Sequence, residues 1–157
     1  MALTALSKNN IIQTVFQNIF DRLESDVTSV NITGSTTVTI KTYTNSFPDK
    51  NIDAKGDYPI LIVNSPDINW ENFTIRKKWA NGTFAVDILT TQREAGDKFI
   101  DAIMDSIETY RDDLKTVGMH FVNLENSSYD TFFRGGFKVH FRSASFSFKY
   151  IFTSTQV

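Results

Sequence analysis

The chain has 157 residues, a formal net charge of −2, 14 phenylalanines and no cysteine. This length predicts one domain that buries a core without cross-links, and the near-neutral charge gives no general attraction for nucleic acid or anionic membranes. The lack of cysteine excludes disulfides, thiolate zinc sites and cysteine nucleophiles. We recognise no signal peptide and no run of about 20 apolar residues that would span a membrane.

The first predicted element is a helix over residues 9–25, with Ser7 or Asn9 as the expected N-terminal cap. Apolar residues recur there at spacings of one, three and four, which places them in one stripe. Because a helix of this length is marginal alone in water, the stripe is expected to pack against a sheet or another helix. Its members are Ile11, Ile12, Val15, Phe16, Ile19, Phe20 and Leu23.

Two short strands are predicted next, from Val30 to Ile32 and from Thr36 to Tyr43, with Gly34 between them. The polar segment 44–57 that follows is longer than the usual connection in a compact domain. Two interpretations stay open for this segment: a mobile surface loop, or a docking arm that becomes ordered when it meets a partner.

The same segment carries an incomplete calcium-loop pattern. Asp49, Asn51 and Asp53 match the first three ligand positions of such a loop. Ala54 stands where the turn glycine belongs, however, and Ile60 stands where the bidentate glutamate belongs. Neither flank has the pattern of a helix, so no metal site is predicted.

The most apolar strand is predicted from Tyr58 to Val63, with apolar side chains on both faces. A β-hairpin is then predicted over residues 73–90, turning at Asn81-Gly82, because this pair favours the positive φ angles of a two-residue turn. The hairpin contains a dense basic run, Arg76 to Lys78. Solvated charges on a strand are its expected role; a weak nucleic-acid contact through Arg76 and Lys78 is the alternative.

A second helix is predicted over residues 92–117, with Gly118 as its C-terminal stop. Five carboxylates follow steps of four and three residues and therefore share one face, roughly opposite the apolar stripe. Either this face is simply solvated, or it is an acidic surface that a partner recognises or that repels DNA. The carboxylates are Asp97, Asp101, Asp105, Glu108 and Asp112.

Strands are predicted over the C-terminal region 119–152, interrupted by a polar loop after Leu124 and by a break at Gly135-Gly136. Apolar residues from Phe137 to Phe141 share one phase of alternation, and those from Ala144 to Phe152 share the other. A change of phase inside one strand requires a bulge or bend, which is expected at Arg142–Ser145.

Together these elements predict an α+β fold: a mixed, mainly antiparallel sheet of about six strands, with two long helices packed on one face. Two helices cover only about four strands. The remaining apolar surface is expected to meet a second sheet layer or another subunit, and unpaired strand edges give a further reason for self-association.

No catalytic motif is recognisable, and no enzyme activity, cofactor or metal is predicted. His120 and His140 both fall in predicted strands without a partner histidine at metal-ligand spacing. Nucleophile elbows, zinc-protease motifs, phosphate loops and dinucleotide fingerprints are not found in the sequence. Both histidines are therefore interpreted as ordinary strand residues.

The order of these elements resembles the tail terminator and tail-completion proteins of long-tailed bacteriophages. The resemblance spans about residues 9–152. It is carried by the N-terminal helix, the strand headed by Tyr58-Pro59, the hairpin 73–90, the Asp-rich helix with Ala102, Ile103 and Ile107, and the C-terminal strands.

The resemblance implies a virion protein that forms a ring, typically of six copies, on the head-proximal end of the tail tube. Such a ring stops tube polymerisation, presents a surface to the head connector and lets DNA pass through its lumen without sequence recognition. The strand edges and the segment 44–57, with Lys50, Asp53 and Lys55 at its tip, are the expected contacts. The acidic helix face would line either the lumen or a subunit contact. A neck component, or an unrelated enzyme or ligand-binding domain, remains the alternative.

Overall fold

The computed structural model describes residues 3–7, 9–50, 52–72 and 77–153, with backbone alone at residues 72, 77, 78, 152 and 153. Three α-helices lie in these ranges: α1 (Ile11–Asp26), α2 (Arg93–Thr109) and α3 (Arg111–Thr116). A 3₁₀ turn covers Lys55–Asp57. The strands are β1 (Ser29–Ile32), β2 (Thr36–Thr39), β3 (Thr42–Thr44), β4 (Ile60–Val63), β5 (Asp67–Asn72), β6 (Lys77–Thr90), β7 (His120–Arg134) and β8 (Phe137–Thr153).

The predicted α+β class is confirmed, with six strands in one mixed sheet. The order is β3-β4-β6-β8-β7, and β5 pairs with β6 beyond the end of β4. β3 is parallel to β4, whereas the other pairs are antiparallel. β7 therefore forms one edge of the sheet, and β3 and β5 lie at the opposite edge. β1 and β2 form a separate antiparallel pair that contacts α2.

One face of the sheet is buried under α1 and α2 and forms the larger core. Both helices supply an apolar stripe as predicted, except that Ile12 of α1 is 50% exposed, and alternate residues of the central strands point toward the helices. The cap of α1 differs from the prediction: the capping position is Asn10, whose side-chain oxygen accepts a 2.8 Å hydrogen bond from the Ser7 backbone N–H. The sheet residues of this core are Leu61, Val63, Ala80, Phe84, Val86, Ile88, Val122, Ala144, Phe146 and Phe148.

The opposite face of the sheet is partly covered by the segment 44–57. Ile52 is only 1% exposed and packs in a second, smaller core with Ile60 and Ile62 of β4. The Tyr58 hydroxyl donates a 2.7 Å hydrogen bond to the Ile52 carbonyl. The segment thus packs on its own sheet, which neither sequence interpretation anticipated. Part of the apolar surface that was expected to need a second layer or another subunit is covered by the chain itself.

β8 is a regular strand, so the predicted bulge at Arg142–Ser145 is wrong. Its pairing with β6 keeps one register along the whole of residues 77–90. The change of phase in the sequence arises because the two ends of β8 are covered on different faces. Val139 lies in the core under the segment 44–57, whereas Phe146 lies in the core under the helices. The register shifts are in β7, between residues 120 and 123 and between 124 and 126.

The predicted hairpin turn at Asn81-Gly82 is also wrong, because both residues lie inside the continuous strand β6. β5 is the strand that folds back on β6, and its residue Asp67 is paired with Thr83. The connection between β5 and β6 falls on residues 73–76, where the prediction began its hairpin and which lie outside the described residues.

A long hairpin of β7 and β8 replaces the predicted polar loop after Leu124. Gly135 and Gly136 have φ angles of 58° and 82°, and Arg134 pairs with Phe137 across them. The two glycines are thus a two-residue hairpin turn, for which positive φ is required. The polar residues before the turn belong to the 15-residue strand β7.

The predicted helix over residues 92–117 is divided at Tyr110 into α2 and α3. The guanidinium of Arg22 in α1 lies 3.7 Å from the centre of the Tyr110 ring, so α1 contacts the chain where the helix is divided. The stop at Gly118 is confirmed. Gly118 has a φ of 108°, and the Met119 N–H donates to the Leu114 carbonyl at 2.9 Å, which is a Schellman cap.

Candidate functional site

The three residues predicted at the tip of a docking arm have different environments. Asp53 accepts a 2.8 Å hydrogen bond from the Arg134 side chain, so it ties the segment 44–57 to the end of β7. Lys50 and Lys55 are exposed, and among the described residues neither forms an ion pair. Of these three residues, the two lysines are thus exposed without an ion pair, whereas Asp53 is 72% exposed but already paired.

The side chains of the basic run, Arg76 to Lys78, lie outside the described part of the structure. Arg76 lies outside the described residues. Lys78 lies at the start of β6, where its backbone is between Asn72 of β5 and Phe152 of β8, and its side chain is not described. The proposed nucleic-acid contact through this run stays a prediction.

The five carboxylates of the acidic helix face differ in exposure and in their partners. Asp97 is half-buried and pairs with Arg142 on β8 at 2.9 Å and with Arg93 at 3.5 Å. The other four are exposed and form what we call the acidic row. Glu108 pairs with Arg111 at 3.1 Å. The acidic row consists of Asp101, Asp105, Glu108 and Asp112, the last on α3.

His120 lies near carboxylates but is not hydrogen-bonded to them. It lines an open depression of about 410 Å³ together with Glu108 and Asp112. Arg111 and Lys115 share the same walls, and within the described part of the chain the histidine forms no hydrogen bond with either acid. This arrangement lacks the acid–imidazole contact that a general base needs for orientation.

His140 belongs to a connected group on the helix side of the β7–β8 hairpin. The Tyr129 hydroxyl and His140 Nδ1 are 2.6 Å apart, and the two rings are stacked. The Arg142 guanidinium lies 4.7 Å from the centre of the Tyr129 ring while its Nε donates to Asp97. Two strands and the first turns of α2 therefore hold these side chains together, although they are far apart in the sequence.

The pKa of His140 is lowered in this environment. Burial is the main cause, and the positive charges of Lys138 and Arg93 lower it further, against the opposing effect of the Asp97 carboxylate. The neutral imidazole is thereby favoured, and its Nδ1 accepts the hydrogen bond from Tyr129 when the proton resides on the other ring nitrogen.

These residues are the centre of a larger surface that we call the basic–aromatic patch. Phe133 is 75% exposed and is paired across the strands with Lys138, which is also exposed. The Arg93 side chain is 68% exposed at the start of α2, whereas that of Arg142 is only 26% exposed. The patch consists of Arg93, Tyr129, Phe133, Lys138, His140 and Arg142.

Much of the other face of the sheet is polar where the segment 44–57 does not cover it, with Trp79 and the exposed Ile151 as apolar exceptions at one end. A shallow groove of about 540 Å³ crosses this face. Its floor and walls carry mostly short uncharged side chains, and the Ser147 hydroxyl donates a hydrogen bond to the Glu125 carboxylate. The groove is lined among others by Asn69, Asn81, Thr83, Asn123, Ser147 and Lys149.

The edge strand β7 is the longest unpaired edge in the described structure. It carries four exposed large apolar or aromatic residues. Phe121 is 61% exposed, and its φ of 54° lies in the left-handed region. Both the exposure and the backbone conformation are unfavourable for a bulky residue. The four residues are Phe121, Leu124, Tyr129 and Phe133.

Sequence reasoning missed this edge because it assigned residues 125–134 to a loop. These residues are mostly polar, since neither face of that part of β7 is fully covered. One signal was present: Gly135-Gly136 between Phe132-Phe133 and Phe137 is the pattern of a two-residue hairpin. The basic–aromatic patch could not be found, because it depends on the register of β7 against β8.

The sequence matches no known protein-family model and no curated protein. Among the described residues, no cluster of three or more histidine, aspartate or glutamate side chains has a geometry that would hold a metal ion. The helices in those residues are all too short or too polar to cross a membrane.

Proposed function

We propose that this chain is a structural subunit of a long-tailed phage that assembles as a tail terminator ring. In this role, copies close into a ring on the head-proximal end of the tail tube, stop its polymerisation and offer a joining surface to the head connector. The proposal rests on the shape of the sheet and on the part of the resemblance that the fold keeps: the N-terminal helix, the strand after Tyr58-Pro59, the Asp-rich helix and the C-terminal strands. A ring of six copies is the expected state.

The observation that carries the proposal is a sheet with two different open edges. β7 lies at one edge, and β3 and β5 lie at the other. When one surface of a subunit joins a different surface of the next, the contact is head-to-tail, and such contacts close into rings if the rotation permits. Backbone groups of an open strand are ready to pair with another chain. Exposed Leu124 on β7 and exposed Trp70 on β5 add apolar area to the two edges.

The two faces of the sheet suit different sides of such a ring. The helices cover one face, and much of the opposite face is lined by short polar side chains. In a ring closed through sheet edges, we assign the polar face to the lumen. Its groove carries mostly short uncharged side chains, and the positive charge of Lys149 is offset by Asp67 and Glu125, so a phosphate backbone would meet little net attraction. The acidic row then lies on the helix side, away from the lumen.

A proline at Ser127 tests the role of the β7 edge. The turn at Gly135-Gly136 makes Arg134 and Phe137 a hydrogen-bonded pair, so by alternation the Ser127 N–H points away from β8. Ser127→Pro removes that donor and leaves the pairing with β8 intact. We expect the variant to fold but to lose at least about tenfold in self-association or in binding to tube ends, because a strand edge with a proline cannot be extended.

Sedimentation velocity and negative-stain imaging, with and without tail tube protein, provide the readout. Ser127→Ala is the matched control, since it keeps the N–H, and it should assemble like the wild type. Closed rings on tube ends support the proposal. Rings formed equally well by Ser127→Pro would exclude the β7 edge as the contact, and wild-type protein that neither forms rings nor stops tube growth would overturn the function.

A further inference from the structure

We infer that the basic–aromatic patch is the receptor for Trp70 on strand β5 of the neighbouring copy. This inference rests on the proposed function, because it takes the two sheet edges that close the ring as the surfaces that meet. It names the strands that pair, their register and the aromatic contact between them. Because Trp70 is uncharged, the contact leaves the pairing of Asp97 with Arg93 and Arg142 intact.

The direction of the strands determines how the two edges meet. β5 is antiparallel to β6, β6 to β8 and β8 to β7, so β7 runs antiparallel to β5 within one copy. Rotation about a ring axis keeps the direction of every strand along that axis. β7 of one copy therefore meets the opposite edge of the next copy in the antiparallel sense, the slightly more stable one. At that edge β5 offers six residues and β3 only three, so β5 is the partner that we assign.

Trp70 and Tyr129 point to the same face of the sheet. Trp70 is paired with Ala80, which lies in the core under the helices. Tyr129 is paired with Arg142, which reaches Asp97 of α2 from that same face. Pairing of the two edges therefore brings Trp70 of the neighbouring copy to the helix side, where the patch lies.

The backbone groups of these two residues also point out of the sheet. The Asn64 N–H donates to the Ala85 carbonyl, so odd-numbered residues of β6 direct their backbone groups toward β4 and β5. Trp70 is paired with an even-numbered residue of β6 and therefore directs its own groups outward. Tyr129, two residues from Ser127, directs its groups away from β8 in the same way. The two residues can thus form a hydrogen-bonded pair.

The free length of the edge limits the register. In the described part of the chain, β3 pairs with residues 60–62 of β4, on the side where β5 is open. A β7 strand that extended far past β5 in that direction would collide with β3. Placing Tyr129 opposite Trp70 sets Arg134, the last residue of β7, opposite Ser65, which is short of β3. All six residues of β5 are then paired with β7.

Charge on the opposite face of the sheet selects the same register. Asp130 of β7 lies on that face, because its partner Phe141 packs against the smaller core. Alternation places Asp67, Asn69 and Glu71 of β5 on the same face. The assigned register sets Asn69 opposite Asp130, so an amide donor faces a carboxylate. A shift of two residues would oppose either Asp67 or Glu71 to Asp130, and like charges directly opposite each other are destabilising.

The patch is preformed to receive an aromatic side chain. Arg142 is fixed by Asp97 and lies over the Tyr129 ring, and Tyr129 is hydrogen-bonded to His140. Such preorganisation lowers the entropy that a contact loses when it immobilises side chains. Tyr129 and Trp70 are both exposed in the single copy, so both have apolar area to bury. Aromatic cross-strand pairs stabilise antiparallel sheets, and tryptophan and arginine are enriched at the centres of protein interfaces.

Disulfide trapping tests the register, since the chain has no cysteine of its own. Asn69→Cys and Asp130→Cys are combined in one chain, because the assigned register makes them a non-hydrogen-bonded pair with Cα atoms about 4.5 Å apart, which a disulfide can bridge. Within one copy the two positions lie three strand spacings apart, about 14 Å, which is too far for a bridge. Mild oxidation, with and without tail tube protein, should give a covalent ladder that ends at the copy number of the ring.

The matched control combines Asn69→Cys with Ser128→Cys. Ser128 is exposed and lies two residues from Asp130 on the same face of β7. In the assigned register its Cα atom is about 7–8 Å from that of residue 69 across the contact. The ladder of this pair should therefore be weaker by about fivefold or more, because this distance exceeds the reach of a disulfide.

Trp70→Ala tests the aromatic contact itself. We expect self-association or binding to tube ends, measured by sedimentation velocity, to weaken by about tenfold or more, because a tryptophan anchor is lost. Trp70→Phe should keep most of the affinity. Ile12→Ala is the control, since it removes another exposed apolar side chain, on α1, and it should associate like the wild type. Circular dichroism and thermal unfolding report whether each variant keeps its fold.

Ladders of equal strength from the two cysteine pairs would overturn the inference, and so would a Trp70→Ala variant that associates like Ile12→Ala. A missing ladder, both alone and with tube protein, would do the same, and protection of the β7 edge by tube protein would then identify a different occupant. Rings that form without the Asn69–Asp130 contact would refute the register and leave the proposed function standing. A ladder through the assigned pair that neither closes nor stops tube growth would uphold the contact and refute the proposed function.

Discussion

Gly82 shows how a single residue is constrained by the neighbouring strand of the sheet. It was expected to form a turn but lies inside β6, where a Cβ atom would be 2.2 Å from the Phe148 ring. Phe148 is fully buried, so its ring has no room to move aside. The glycine is thus needed for close packing between β6 and β8.

Gly82→Ala is expected to lower the free energy of unfolding by about 1–3 kcal/mol, because the added methyl group overpacks the core. Urea denaturation at one temperature measures the change. Gly56→Ala is the matched control, since nothing lies within 4 Å of its added Cβ and its φ is not in the left-handed region. Equal denaturation midpoints for the two variants would contradict this packing role.

His140 makes the stability depend on pH in a defined direction. Its pKa is lowered in the folded chain, chiefly by burial and then by Lys138 and Arg93. The unfolded chain therefore binds the proton more readily. The stability linked to the neutral imidazole is fully present above the unfolded pKa of about 6.5, and it is lost as the pH falls through the lower folded pKa.

We expect the stability difference between the wild type and His140→Gln to shrink as the pH falls below about 6.5, because only the wild type carries this titrating group. Urea denaturation at several pH values measures it. In NMR titrations, Arg93→Gln should raise the pKa of His140, since one lowering charge is gone, and Asp97→Asn should lower it. A His140 pKa that does not respond to either change would contradict the assigned causes.

At the scale of elements, two of the contacts that hold the segment 44–57 differ in strength. Ile52 is buried in the smaller core, whereas the Asp53–Arg134 ion pair is largely exposed. A buried aliphatic side chain contributes far more to stability than an exposed ion pair. The burial of Ile52, and not the Asp53–Arg134 ion pair, is therefore expected to keep the segment 44–57 on the sheet.

Ile52→Ala is expected to cost about 2–4 kcal/mol of unfolding free energy, and Asp53→Asn less than about 1 kcal/mol. Chemical denaturation of both variants makes the comparison, and protease nicking within residues 44–57 should increase for the first variant only. If Asp53→Asn proved the more destabilising change, the segment would be held by its charges instead.

Strand β8 shows why the alternation of apolar residues predicted a strand correctly but also predicted a bulge that the strand does not have. Alternation identified the apolar positions correctly, because side chains of any strand point to the two faces in turn. Alternation does not show, however, which part of the chain covers each face of the strand. One half of β8 is buried under the segment 44–57 and the other under the helices, so a regular strand has the sequence pattern of a bulged one.

At the scale of the whole molecule, the chain covers its own apolar surface more completely than a count of helices suggests. The proposed assembly is then supported by the open edges of the sheet and not by an uncovered apolar face. The two edges differ, with β7 at one and β3 and β5 at the other, which favours contacts between different surfaces of neighbouring copies.

The sequence by itself determined the α+β class, the apolar stripes of α1 and α2, the doubly buried strand β4 and the stop at Gly118. Each of these features depends on the spacing of apolar residues along the chain or, at Gly118, on the positive φ that glycine adopts without strain. Only the tertiary structure decided that Asn81-Gly82 lies within a strand, that Ile52 closes the second face, and that Tyr129, His140 and Arg142 meet Asp97. Those outcomes depend on strand register and on contacts between residues far apart in the chain, and local pattern holds no information about either.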